Sequence, residues 1–264
     1  VAYGGAERVF EALCELYPEA PIYTLLADPR LVAEHFKGRD IRTSWLGKLP
    51  RFIQKRYRLF LPFFPAAVES LDLREFDLVI SSSGAWSKGI ITRLNTTHVA
   101  YLHSPMRYAW DYHESYLQEL GARGRRSILT RMLMSYLRLW DKQAAERPDV
   151  LLANSLFTQE RIAKYYRREA QVVYPGALTL FEKTKNLFPD GQQSERSYFL
   201  VVSRLTHSKK IDTVIDAFNK LSLPLVVVGG GPEEKRLRRR AGEHTRFVGF
   251  VDDQELARLY RGAR

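Results

Sequence analysis

Residues 198–234 read YFLVVSRLTHSKKIDTVIDAFNKLSLPLVVVGGGPEE. Tyr198 to Val202 and Leu225 to Val228 are short apolar runs without internal charge, as strands covered on both faces are. Between them Ile211, Val214, Ile215, Phe218 and Leu221 are spaced i, i+3, i+4, i+7 and i+10, which sets one apolar stripe along a helix. A strand, a helical crossover and a second strand predict a unit of parallel sheet. The alternation extends in both directions, with strand-like runs at Asp77 to Ile80, His98 to Leu102, Asp149 to Ala153, Gln171 to Tyr174 and Arg246 to Val248. A further helix is expected after Asn154 and Ser155, either of which can cap it, with Ile162, Tyr165 and Tyr166 on one side.

The 264 residues allow one large or two modest domains, and 45% hydrophobic with 27% charged residues excludes a disordered or collagen-like chain. The polar stretch KTKNLFPDGQQSERS at 183–197 reads as a linker. Two domains are therefore expected, residues 1–176 and 198–264, joined by 177–197. No run approaches the ~18 apolar residues of a membrane-spanning helix, and no secretory leader is expected. The single cysteine, Cys14, excludes internal disulfides and suits a reducing cytoplasm. A net charge of +11 calls for an anionic partner. Nucleic acid is disfavoured, because most basic residues are dispersed and no recognition motif accompanies them.

Several motifs carry chemistry. Gly4-Gly5-Ala6-Glu7 precedes a helix with Val9, Phe10, Leu13, Leu16 and Tyr17 as apolar positions, so the amides at Gly5 either approach an anion or make a plain turn. SRLTHSKK at 203–210 follows a strand, where ligands of open parallel sheets bind, and Arg204 and Lys209 there suit a diphosphate. Gly229, Gly230 and Gly231 follow the next strand. A dinucleotide fingerprint would need a third spaced glycine where Glu234 stands, which disfavours a dehydrogenase and leaves either approach of a nucleoside or an ordinary turn. YLHSPMRYAWDYHE at 101–114 gathers His103, Ser104, Arg107, Asp111 and His113 among aromatic faces suited to sugar rings. Lys88 follows another strand and either meets the same crevice from a neighbouring loop or is an ordinary surface lysine. Arg42, Lys48, Arg51, Lys55, Arg56 and Arg58 occur with no acid between Asp40 and Glu69. A helix after Pro50 would carry Ile53, Tyr57, Phe60 and Leu61 on one face and Arg51, Lys55 and Arg58 on the other. Residues 42–64 thus read either as a contact for an anionic membrane or as a helix facing its own core. No D-x-D triplet or His and Cys cluster is spaced to bind a metal ion, so Arg, Lys and helix ends are left to meet phosphate charge.

The runs GGAERV, HSPMRYAWD, ANSLFTQERI, SRLTHSKK, VVVGGGPEE and RFVGFVDDQEL, spanning nearly the whole chain, together resemble glycosyltransferase family 4. That resemblance implies an α/β protein of two facing Rossmann-like domains (the GT-B fold), retaining transfer from a nucleotide sugar, and no metal cofactor. HSPMRYAWD and the WSKG before it are similar to the bacterial branch that transfers mannose onto lipid-linked glycans, so GDP-mannose is the expected donor and a glycan or lipid-linked molecule the acceptor. By the resemblance Gly5, Arg204 and Lys209 hold the donor diphosphate, Gly229 to Gly231 and the backbone at Val251 lie near the nucleoside, and His103 meets the transferred sugar. Lys88, Arg107 and Asp111 are acceptor or donor contacts.

The family's first strand is expected before Val1 and its acidic E-x7-E element beyond residue 264, so residues 1–264 alone are expected not to turn over. The location implied is cytoplasmic, peripheral to the inner membrane face. A non-catalytic nucleotide or glycan binder on the same fold is the alternative.

Overall fold

The computed structural model describes residues 4–54, 56–113, 125–176 and 197–264. The chain divides into two compact units, residues 1–175 and 176–264. Every strand pair in both units is parallel.

The first unit opens with helix α1 (Gly5–Leu16), then β1 (Ile22–Thr24), α2 (Pro29–His35) and β2 (Ile41–Thr43). β1 and β2 pair with each other. Neither strand was expected from the sequence, since three residues are too few for alternation to stand out. Short helices α3 (Arg51–Gln54) and α4 (Phe64–Glu69) flank a 3-10 segment at Tyr57–Phe63. The single helix expected after Pro50 is thus broken: Pro62, inside the 3-10 segment, has no N–H to continue a helical ladder. Phe60 and Leu61 pack on Leu46, Phe64 and Ala67, while Tyr57 is 38% exposed. Lys55 and the side chain of Arg58 lie outside the described residues.

A second sheet has the order β3 (Leu78–Ser83), β4 (Thr97–Leu102), β5 (Val150–Ala153) and β6 (Gln171–Val172), with α5 (Arg125–Ala144) before β5 and α6 (Leu156–Tyr166) after it. β3 outruns its apolar stretch, because Ser81 to Ser83 pair with Ala100 to Leu102. Their hydroxyls have partners: Ser81 Oγ lies 2.9 Å from His98 Nε2, and Ser83 Oγ accepts from the Lys88 amide. β6 is shorter than expected, and Val173 and Tyr174 are exposed. Ser155 caps α6, its Oγ accepting from Thr158 N at 3.2 Å. Ile162 and Tyr166 of α6 are buried with Ala100, Leu102 and Leu151.

The second unit holds β7 (Phe199–Val202), α7 (Ile211–Leu221), β8 (Leu225–Val228), α8 (Glu234–Arg240), β9 (Thr245–Gly249) and α9 (Asp253–Arg261), with β8 central. All four residues of β8 are buried, because the two-residue period aims them at two cores. Leu225 and Val227 meet Ile211, Ile215 and Leu237, whereas Val226 and Val228 meet Leu259. The helical stripe of α7 holds except at its end, where Leu221 is exposed. α1 departs more: none of its residues is fully buried, and Leu16 and Tyr17 face solvent.

Candidate functional site

In the first unit the chemistry collects beyond the carboxyl ends of β3 and β4. The His103 amide donates to Ser83 O at 2.9 Å, extending the ladder by one step, and places the imidazole just past the sheet. Ser82 Oγ lies 2.8 Å from His103 Nε2, and Tyr101 meets the imidazole edge-on at 5.4 Å. Burial pushes the His103 pKa down, with Glu7 of α1 pulling weakly the other way. The ring is therefore neutral near pH 7, a hydrogen-bonding group rather than a cation. Glu7 stands in the first turn of α1. Gly5, in that turn, is exposed, with nothing within 4 Å of where a Cβ would stand.

Lys88 is not where the sequence placed it. Its side chain is 1% exposed, and its ammonium donates to Asp141 Oδ1 at 2.5 Å and to Ala85 O at 2.5 Å. Asp141, itself 0% exposed, also accepts from Trp110 Nε1 at 2.8 Å and Tyr166 OH at 2.7 Å. A buried charge survives only when paired, so Lys88 is held by Asp141 and no ligand reaches it. The expectation of a Lys88 contact to substrate is corrected to a buried tie between the 84–89 loop, α5, α6 and Trp110.

The 103–111 loop is tied down a second time. Arg161 of α6, 8% exposed, donates to Ser104 Oγ at 2.5 Å and to Asp111 Oδ1 at 2.8 Å. Asp111 is 39% exposed and pairs with Arg161 through Oδ1. Arg107 is exposed, its guanidinium 5.6 Å from the centre of the Tyr112 ring. The sequence reading missed Arg161, Asp141 and Ser82. Asp141 had one signal, as the single acid in a helix otherwise rich in Arg and Lys.

In the second unit, the loop after β7 and the loop after β8 interlock through backbone. Leu205 N donates to Gly230 O at 2.9 Å and Glu233 N to Leu205 O at 3.0 Å. Gly229 has φ +118°, and a Cβ on it would fall 2.0 Å from Ser203 O; one on Gly231 would fall 2.3 Å from Leu205 O. Those two glycines are required by close approach of the loops, whatever else they do. Gly230 is exposed, and a Cβ there would meet only Glu234 Oε2, at 3.8 Å. Arg204 and Lys209 are exposed on the first loop, around the buried anchor Leu205. Val251 packs against Val226, Val228 and Leu259.

A hollow of about 860 Å³ in the first unit lies between Tyr23, Arg42, Trp45, Lys48, Asp72 and Arg74, and no residue at the ends of β3 and β4 lines it. Its cations are largely committed: Arg42 donates to Glu75, Asp40 and Tyr23, and Arg74 to Asp72.

The folds of solved proteins match this arrangement. The chain superposes on Anabaena HepE, solved in complex with UDP and glucose, with TM-score 0.57 at 18% identity over 98% of this chain and 69% of that one. Sucrose-phosphate synthase from Thermosynechococcus elongatus gives TM-score 0.56 at 18% identity over 98% and 68%. Both show an α/β fold of the GT-B kind. O-antigen chain mannosyltransferase C of Escherichia coli is 32% identical over 72 residues, 26% of this chain and 19% of that protein, so the match spans about a fifth of that relative. The model described as Glycosyl transferases group 1 matches residues 182–264. The model of Glycosyltransferase Family 4 matches residues 3–177, two thirds of the sequence, and the chain therefore belongs to glycosyltransferase family 4.

Proposed function

We propose that the chain serves retaining transfer of a hexose from a nucleoside diphosphate sugar, GDP-mannose, to a glycan or lipid-linked acceptor in cell-surface polysaccharide synthesis. The observation that carries this reading is the pair Arg204 and Lys209, exposed on a loop past the carboxyl end of β7 and braced on the glycine loop after β8. Two cations on a rigid backbone cradle suit a diphosphate, at roughly 1.5–3 kcal/mol for each charged hydrogen bond. Likeness to a mannosyltransferase over 72 residues favours mannose; the neighbour solved with UDP and glucose makes UDP-glucose the donor to test beside it.

In this reading the sugar's anomeric carbon loses its bond to the phosphate oxygen and gains one to the acceptor oxygen on the same face. The acceptor proton passes to the departing phosphate. No protein base is needed, and a neutral His103 hydrogen-bonds the sugar. Gly5 offers its amide to the diphosphate, Gly230 and the Val251 backbone lie by the nucleoside, and Arg107 meets the acceptor. Arg204 and Lys209 carry the charge that a metal ion carries elsewhere, so EDTA leaves transfer unchanged. Membrane contact by residues 42–64 is supported by Trp45, Phe52, Leu59 and Phe63, all exposed beside Lys48, Arg51 and Arg56.

Calorimetry tests the clamp. Arg204→Ala and Lys209→Ala are each expected to weaken GDP-mannose binding at least about tenfold. Unchanged affinity in both variants, for GDP-mannose and UDP-glucose alike, refutes the reading. Radiolabelled mannose transfer by the full-length protein then separates an enzyme from a binder.

A further inference from the structure

Helix α5 has two sides of opposite character. Inward, Met134, Leu137, Trp140 and Ala144 are buried in one cluster with Val68 and Met106. Outward, Ile128, Leu129, Met132, Tyr136 and Leu139 are 61, 66, 65, 47 and 68% exposed. At 100° per residue these five fall within one stripe about 100° wide. A water-facing helix side ordinarily carries polar groups, and so continuous an apolar stripe marks a contact surface.

The charges beside the stripe say what covers it. Arg131 and Lys142 of the helix are exposed along one edge. Its one acid, Asp141, is buried against Lys88 and offers nothing outward. Hydrocarbon for the stripe and anionic phosphate for the flanking cations are what a bilayer of acidic lipids presents. A second copy of the chain would bring the same cations and another +11 net charge against them.

We propose that α5 lies flat on an anionic membrane surface, its stripe Ile128–Leu129–Met132–Tyr136–Leu139 in the acyl boundary and Arg131 and Lys142 at the phosphates. This contact is separate from the one read for residues 42–64 and independent of the donor.

Flotation of the full chain with phosphatidylcholine vesicles, with and without phosphatidylglycerol, is the test. At least about tenfold tighter partitioning onto the anionic vesicles is expected. Ile128→Ser/Met132→Ser/Leu139→Ser should lose most of that binding with circular dichroism and nucleotide-sugar affinity unchanged. A Met132→Cys probe in a Cys14→Ser background, labelled with an environment-sensitive dye, should blue-shift on anionic vesicles; this reads the contact even if the triple variant fails to fold. Parent-like binding by a folded triple variant, equal partitioning onto both vesicles, or no dye shift overturns the proposal. So does a dimer in light scattering that the triple variant dissociates. Loss confined to Phe52→Ser/Leu59→Ser overturns α5 while leaving the 42–64 reading in place.

Discussion

At His98 a titratable ring sits in the middle of a sheet, 0% exposed, with Nε2 on Ser81 and Nδ1 without a partner. Burial outweighs the pull of Asp149 and pushes its pKa down to about 4. In the unfolded chain the same ring titrates near ~6.5, so between those values the unfolded state binds more protons. Stability is complete above ~6.5 and falls as pH drops toward 4, by about 3 kcal/mol for this group. Urea unfolding at pH 7.5 and 4.5 should show that loss reduced in His98→Gln; an equal loss in both proteins removes His98 as its cause. The glycine loop separates folding from binding in the same way. Gly229→Ala forces a left-handed φ and a clash with Ser203 O, and should cost about 2 kcal/mol or more in thermal denaturation. Gly230→Ala should leave the melting temperature unchanged, so any fall in donor affinity there reports contact with the nucleotide. These glycines were visible in the sequence. The φ of +118° at Gly229, where a Cβ would fall 2.0 Å from Ser203 O, was not, because it arises between loops some 25 residues apart.

Among elements, the ends of β3 and β4 are held by ties that no local pattern announces. The Lys88–Asp141 pair spans 53 positions, and Arg161 reaches Asp111 across 50. Lys88→Met should destabilise the first unit by about 3–5 kcal/mol, since it leaves the buried Asp141 carboxylate short of its counter-charge. Differential scanning calorimetry measures this, and a loss under about 1 kcal/mol would mean that Lys88 is not the charge partner Asp141 depends on. The exposed lysine expected at this place would have shown only such a small effect. Ser155→Ala removes the α6 cap for about 1 kcal/mol, a cap the sequence did announce, because capping depends on residues three apart. Phe60 and Leu61 show the opposite case. Their spacing fitted a continuous amphipathic helix, but Pro62 and packing on Phe64 turned the segment into 3-10 and short helical pieces.

Over the whole molecule, two compact units with separate cores predict two sets of slow-exchanging amides, one around Ala100 to Leu102 and one around Val226 to Val228. Hydrogen exchange with GDP-mannose should add protection at 204–210 and 230, and protection confined to the first unit would contradict a donor grip by Arg204 and Lys209. Strand and helix alternation, most strand positions, the α6 cap and the α7 stripe were legible from the residues alone. They depend on hydrophobic period and capping within a dozen positions, and those interactions are formed by near neighbours whatever the rest of the chain does. The order of the strands within each sheet, the burial of Lys88, the pairing of Asp111 with Arg161, the burial that lowers the His103 pKa and the bare apolar side of α5 were settled only in three dimensions. Each is set by what distant segments bring into contact or leave open to water, and a linear pattern carries no record of that.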